Sequence, residues 1–532
     1  MQWSKLLRES LLWRILLRLR VLLGRLPPSR LLGSFRSSAL SERLCRRMER
    51  TGQTEQSAFF RFLQRGNTAL LTFGERLRPI WRESRTAGVI SRFRQRAAQS
   101  VFLGWTAEGG TVTFLLGCLA VFPILESLFK FIFQINILNN SWNEILLTIG
   151  FLTVICQRIR SDTPLTPCLT PAAFFLMQFP VIGLGLLCKV TLFPQIGWAG
   201  YYITMGGLLW FFVVTRLLRG TEDLLFFCRL CVTVAAGLSV IGILEYLFAI
   251  PIPRGWLETA ETSIRTRAFA VFANPNQLGE YLELMLPMTV GMLYLTRDRK
   301  EKLRYGVCAV LMLAAALFTM SRGAWIAIAA GLFVFALLED RRLVVLFLFL
   351  GACALMLPFV SARLTFIFSN DFVYSAAKGG RVLRWQTALR YLRQGNPLMG
   401  LGFGMYGGEI ANSHQIIEDW TYYWVDNYYV KLLAENGVIG LASFVLMQVG
   451  LLYSGLRAWA RVRNTRYRAL TAGLLAGLVG ILVHGMFECM LDVKFVSTLY
   501  WTFAALMLWL GFLRERRPVK QECMTAVLLP SV

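Results

Sequence analysis

The sequence predicts an all-α integral membrane protein of about twelve transmembrane helices, with a large extracytoplasmic loop between the ninth and tenth. Three observations lead there. Of 532 residues, 56% are hydrophobic, and the mean hydropathy is +0.53, more apolar side chain than a soluble core can use. The apolar residues fall into runs long enough to span a bilayer, about 20 residues each or fewer where the ends snorkel. Basic residues gather in short clusters between those runs, on alternate loops.

The runs are Val112–Ile135, Asn140–Cys156, Ala172–Cys188, Gly197–Thr215, Leu230–Ile250, Leu278–Leu295, Tyr305–Thr319, Ala324–Leu338, Leu343–Val360, Val438–Leu456, Leu470–Met486 and Phe495–Phe512. With the N-terminus inside, the inner loops carry Arg158/Arg160, Arg216/Arg219, RDRKEKLR at 297–304, Arg341/Arg342, RAWARVRNTRYR at 457–468 and the tail's Arg514/Arg516/Arg517. The outer loop Asn136–Asn143 has no Lys or Arg, and those at 189–197 and 488–494 have one each. Parity requires a break at Thr319–Ala324, because one long helix over Tyr305–Leu338 would send the flanking basic loops to opposite compartments. Both termini are therefore expected in the cytoplasm, with residues 106–513 forming the polytopic domain and 514–532 a cytoplasmic tail.

Residues 1–105 form a basic N-terminal region with 21 Lys/Arg against 6 Asp/Glu before Val101. Trp3–Leu26 mixes Leu and Arg at helical spacing, which suits either a helix on an anionic membrane surface or a solvated basic tail. A signal peptide is not expected, since the first run long enough to span begins near Val112.

The formal charge of +25 would suit nucleic acid if it were gathered in one patch; distributed between apolar runs it reads as topology signal, and no nucleic-acid partner is expected. The eleven cysteines lie in apolar stretches or in the N-terminal region, without the spacing of a disulfide framework. Cys228 and Cys231 form a CxxC with no βαβ context and read as small apolar residues at a helix start. With His414 and His484 the only histidines, no metal site or cofactor is expected.

Three predicted outer segments break the charge rule: Pro251–Gln277, the hairpin at Arg322, and Ser361–Asn427. Arginines kept on the wrong side invite a bound anion. In the first, Arg265 and Arg267 precede Asn274-Pro-Asn276, turn chemistry that leads into a helix N-terminus, so the pair reads as an anion site or as a capping turn with solvated arginines. In the second, Ser321-Arg322-Gly323 puts a guanidinium at a hairpin apex, for an anion or for lipid headgroups. In the third, Gly379-Gly380-Arg381 leads to Arg384 and Trp385 on nearly one helix face, then to Asn396-Pro-Leu-Met-Gly400-Leu-Gly402-Phe-Gly404, whose glycines allow close approach to a ligand. Gly402, Gly404 and Gly407 spell GxGxxG but lack the strand a dinucleotide site needs. A fourth motif, Asp426-Asn427-Tyr-Tyr-Val-Lys-Leu-Leu-Ala-Glu435-Asn-Gly437, starts a helix running into the tenth span. There Asp426 is an N-cap or a general base.

In order, R-x-F-x-x-F-x-N-P-N-x-x-G-E-Y-L, S-R-G-A, G-G-R-x-x-x-W with N-P-L-x-G-x-G, and D-N-Y-Y-x-K-L-L-A-E-N-G-V-I-G-L resemble the O-antigen ligase and polymerase superfamily over residues 265–441. The resemblance implies twelve spans, an outer loop at 361–427, a bacterial plasma-membrane location, and transfer of a saccharide from an undecaprenyl diphosphate-linked donor to a saccharide or glycan acceptor. Carried over by motif, Arg267 and Arg322 hold the diphosphate, with Arg381 a third candidate. Arg265, Asn276, Trp385 and Asn427 are expected to line the substrate, and His414 and Glu435 to be auxiliary. Guanidinium clamps on a departing diphosphate make a metal unnecessary, and Asp426 is the candidate base. The ligases that attach O-antigen to the lipid A core carry His at the position of Asp426, so this chain departs from them there, and a polymerase or a ligase for another surface polysaccharide is equally compatible. A transporter or flippase is the alternative of a different class; it would show mirrored ionisable residues in its spans, where this chain offers Glu126, Lys130 and Glu245. A non-catalytic scaffold would not require the gathered arginines.

Overall fold

The computed structural model describes residues 58–85, 88–89, 92, 96, 104–129, 136–159, 172–190, 193–251, 266–272, 274–340, 342–365, 380–414 and 425–513. The segments Trp3–Leu26, 366–379, 415–424 and the tail 514–532 lie outside them, as do Lys130 and Arg265. The described residues are helical with no strand. In chain order the helices are α1 (Ala58–Glu83), α2 (Gly104–Ala120), α3 (Phe122–Ser127), α4 (Asn136–Ile159), α5 (Ala172–Val190), α6 (Pro194–Leu217), α7 (Thr221–Leu247), α8 (Pro275–Leu295), α9 (Arg299–Phe318), α10 (Arg322–Leu338), α11 (Arg342–Leu355), α12 (Pro358–Thr365), α13 (Arg381–Gln394), α14 (Glu409–His414), α15 (Tyr428–Arg461), α16 (Thr465–His484) and α17 (Lys494–Leu508).

Among the described residues helices fall on all twelve apolar runs, though two are divided: α2 stops at Val121, where Pro123 opens the short α3, and the ninth run is split between α11 and α12, which Pro358 opens. Five segments are long and apolar enough to cross a membrane, namely Pro194–Leu217, Thr221–Leu247, Tyr428–Arg461, Thr465–His484 and Lys494–Phe512. Val181, Val310, Phe333 and Val449 remain exposed on the helix surfaces, an arrangement suited to hydrocarbon rather than water. The CxxC cysteines are free and fully buried in α7.

Helix starts are set by local chemistry. Asn274 caps α8 by accepting from Asn276 N at 2.8 Å, with Pro275 in the first turn. Asp298 caps α9 from Lys300 N at 3.2 Å, and Ser321 caps α10 from Ala324 N at 3.4 Å. The break required by parity is present: α9 ends at Phe318, Met320 takes φ 54°, and α10 starts at Arg322.

α16 is the centre of the bundle, packed on α8, α10, α15 and α17. Small residues permit this. A Cβ on Gly473 would stand 2.5 Å from Pro287 O of α8, so the two backbones meet directly.

α15 bends at Gly437, whose φ is 62°. The bend opens backbone groups that the Asn396–Gly404 loop satisfies: Val438 N and Ile439 N donate to Pro397 O and Leu398 O at 3.0 and 3.1 Å, while Leu401 N and Gly402 N donate to Ala434 O and Glu435 O at 2.9 and 2.7 Å. This corrects the expectation that the loop's glycines approach a ligand. A Cβ on Gly400 would lie 2.4 Å from Glu435 C, and one on Gly404 2.8 Å from Ile196 O; the close approach is to α15 and α6.

Candidate active site

Five helix ends meet at one end of the bundle: the starts of α8, α10, α13 and α15 and the finish of α16. The pocket between them is lined by Arg267, Asn276, Ser321, Arg322, Gly323, Arg381, His484, Phe487 and Glu488. Three guanidiniums from three separate motifs thus face one cavity. The basic segment 297–304 joins the far ends of α8 and α9, so the pocket is at the opposite end of these helices.

Arg267 is held before any ligand arrives. It is buried, and its Nε donates to Thr319 O at 2.7 Å while Nη2 donates to Asn276 Oδ1 at 3.0 Å. Its backbone is pinned on both sides: Ala268 N donates to Phe318 O at 2.9 Å, and Phe269 N and Ala270 N donate to Glu245 Oε2 at 2.9 and 2.7 Å. Glu245, considered above for transport, is thereby committed to anchoring this segment. Arg322 occupies the first turn of α10, where the helix dipole adds positive potential.

Arg381 opens α13, with Nη2 3.8 Å from Glu488 Oε1 and Nε 3.7 Å from Asp426 Oδ2. Arg384 Nη1 donates to the same Asp426 oxygen at 2.6 Å, and Trp385 Nε1 donates to Val425 O at 2.9 Å. Asp426 is not the cap of α15. Its neighbour Asn427 is, accepting from Tyr429 N and Val430 N at 3.0 and 3.1 Å. Asp426 instead adopts φ 46°, a costly conformation for a non-glycine residue, and spends its carboxylate on Arg384 and on Arg381, which lines the pocket.

The remaining expected residues have other positions. Asn427 Nδ2 donates to Met486 O at 3.1 Å, so both ends of its amide serve the α15–α16 junction. Glu435 is fully buried away from the cavity; its Oε1 accepts from Tyr406 N at 3.3 Å and Oε2 lies 3.7 Å from Lys431 Nζ. Lys431 Nζ also donates to Asp492 Oδ2 at 2.5 Å, closing a buried ionic group. His414 is exposed at the end of α14, with Nδ1 2.9 Å from Ile410 O, and does not line the pocket.

Three lining residues, His484, Phe487 and Glu488, come from a stretch the motifs do not include. His484 ends α16 and is 1% exposed; its Nδ1 lies 2.5 Å from Glu283 Oε1 on α8. The chain then turns back at once, with Phe487 N and Glu488 N donating to His484 O at 2.7 and 3.1 Å, which sets Glu488 over the histidine. Glu488 Oε1 accepts from Asn276 Nδ2 at 2.5 Å. Burial, then the nearby Asp426 charge, raise the Glu488 carboxyl above its ordinary value, against the opposing pull of Arg381, His484 and the Asn276 amide. The usable sequence signal for His484 was its position at the predicted outer end of the eleventh span.

Chemically, the cavity is a cationic cradle: three arginines, with Arg267 and Arg381 aimed by carboxylate, amide or carbonyl groups, suit an anion with several oxygens. Residues 307–445 match a family model described as O-antigen ligase, a stretch that includes Arg322, Arg381 and Asp426. No curated protein matches the chain.

Proposed function

We propose that this membrane protein, whose residues 307–445 match a family model described as O-antigen ligase, transfers a saccharide from an undecaprenyl diphosphate-linked donor to an acceptor hydroxyl in cell-surface polysaccharide synthesis. The observation that carries the reading is the convergence of Arg267, Arg322 and Arg381 on one pocket. The diphosphate binds among these guanidiniums. When the bond from the anomeric carbon to the diphosphate breaks, its electron pair leaves on a phosphate oxygen, and fixed arginines stabilise that added charge without reorganising. Asp426, expected to be the base, is assigned instead to aiming Arg381 and Arg384, because its Oδ2 already accepts from Arg384.

The basic segments 297–304 and 457–468 mark the cytoplasmic side under the charge rule, which puts the pocket at the outer face and both termini inside. Twelve helices then cross the membrane, with 361–427 as the outer loop, 1–105 as a cytoplasmic basic region and 514–532 as a cytoplasmic tail.

The test is complementation in a strain lacking the chain, comparing wild type with Arg267→Ala and Arg322→Ala at matched membrane expression. Loss of surface polysaccharide with accumulated lipid-linked donor supports transfer. Short units still attached would mark a polymerase, and wild-type behaviour of both variants would sink the reading in favour of transport or scaffolding.

A further inference from the structure

His484 is 1% exposed and lines the arginine pocket, with Nδ1 committed to Glu283 Oε1 at 2.5 Å. Its other nitrogen, Nε2, is buried without a hydrogen-bond partner. A buried polar atom left open costs stability, and this one opens toward the cavity because residue 323 is glycine: a Cβ there would stand 2.8 Å from Nε2. Glu283 is itself fully buried. A buried carboxylate behind one imidazole nitrogen fixes the tautomer and leaves the other nitrogen to act.

We infer that His484 is the catalytic base that takes the proton of the acceptor hydroxyl, and that Glu283 is its positioning residue; the inference rests on the transfer reading above. With Glu283 ionised, Nδ1–H donates to the carboxylate and Nε2 presents its lone pair. The acceptor oxygen forms its bond to the anomeric carbon as the bond from that carbon to the diphosphate oxygen breaks, and the hydroxyl proton passes to Nε2. The bonding pair leaves on the diphosphate, held by the arginines, and water later removes the proton. Uptake is favoured by charge count: with one proton the buried dyad carries −1, and with two it is neutral. The other charged groups facing His484 are Glu280 beside Glu283 on α8, Arg322 on α10, Arg381 on α13, Arg267 before α8, and Glu488 in the turn after α16.

The test adds purified full-length protein to donor-loaded membranes from a strain lacking the chain and follows released undecaprenyl diphosphate from about pH 5 to about pH 9, a range that brackets imidazole titration. Binding of undecaprenyl diphosphate alone is measured alongside. His484→Gln is expected to slow release by about 100-fold or more, to abolish the rise of rate with pH, and to keep diphosphate binding within about threefold. Glu283→Gln, which removes the negative charge behind the ring, is expected to shift that rise to lower pH. Release by His484→Gln within threefold of wild type overturns the inference, as does a pH rise lost in Asp426→Asn and kept in His484→Gln. Should His484→Gln fail to fold, an unshifted profile in Glu283→Gln overturns it. Failure of the transfer reading is distinct, because Arg322→Ala would then release donor normally.

Discussion

Asn276 joins opposite charges across the pocket, accepting from Arg267 Nη2 at 3.0 Å through Oδ1 and donating to Glu488 Oε1 at 2.5 Å through Nδ2. One amide therefore aims a guanidinium and a carboxyl together, a task that neither Asp nor Leu of similar size performs. Asn276→Leu removes this hydrogen bond from Arg267 and is expected to weaken donor binding about tenfold, the worth of one charge-assisted hydrogen bond. Isothermal titration with undecaprenyl diphosphate checks it, and unchanged affinity would remove Asn276 from the anion cradle.

Asp426 separates backbone cost from charge. Asn tolerates positive φ better than Ala does, so Asp426→Asn should keep the fold and lose the ion pairs to Arg381 and Arg384. Activity should drop at least tenfold, with a stability loss of about 1 kcal/mol. Asp426→Gly relieves the strained φ of 46° and should be more stable than Asp426→Ala by about 1 kcal/mol. Thermal melts of the three variants in nanodiscs decide it.

Glu488 makes a pH prediction. The folded chain raises its pKa, so it holds this proton more tightly than the unfolded chain does. The resulting stability is complete below the unfolded value of about 4.3 and is lost as pH rises through the raised folded value. Relative to Glu488→Gln, wild type should therefore lose melting temperature as pH rises from about 4 through the raised folded value. A constant difference across that window would contradict the assignment.

Gly437 should tolerate no side chain. At φ 62° its Cβ would stand 2.3 Å from Leu398 C, so Gly437→Ala both strains the bend and expels the Asn396–Gly404 loop. A loss of about 2 kcal/mol or more is expected, read as a lower melting temperature and earlier proteolysis within residues 396–408.

Lys431 is buried between Asp492 and Glu435. Lys431→Met strands both carboxylates and should cost about 3–5 kcal/mol, seen as lost membrane accumulation. Adding Asp492→Leu should restore part of it; an additive loss in the double variant would contradict the pairing.

Much of this arrangement was legible in the chain. Arg267, Arg322 and Arg381 were identifiable because each breaks the charge rule under the predicted topology, and the hairpin at Ser321 followed from loop parity. His484 was not, since alone it reads as the polar end of an apolar helix; its meaning comes from Glu283, 201 positions away. The glycines at 400–404 misled for a related reason: absence of a side chain signals close approach without naming what approaches, and here it is the backbone of α15 and α6. Asp426 and Asn427 are adjacent polar residues at a helix start, and only the backbone turn between them decides which one caps.

The pocket's walls are made at widely separated times during synthesis. Arg267 and Arg322 leave the ribosome long before His484 and Glu488, and the latter reach them only when α16 has slid between α8 and α10. A chain interrupted before its eleventh apolar run therefore owns the arginines yet has no chamber for them to face. On the proposed function, competence to bind a donor therefore arrives with the eleventh run, late in assembly.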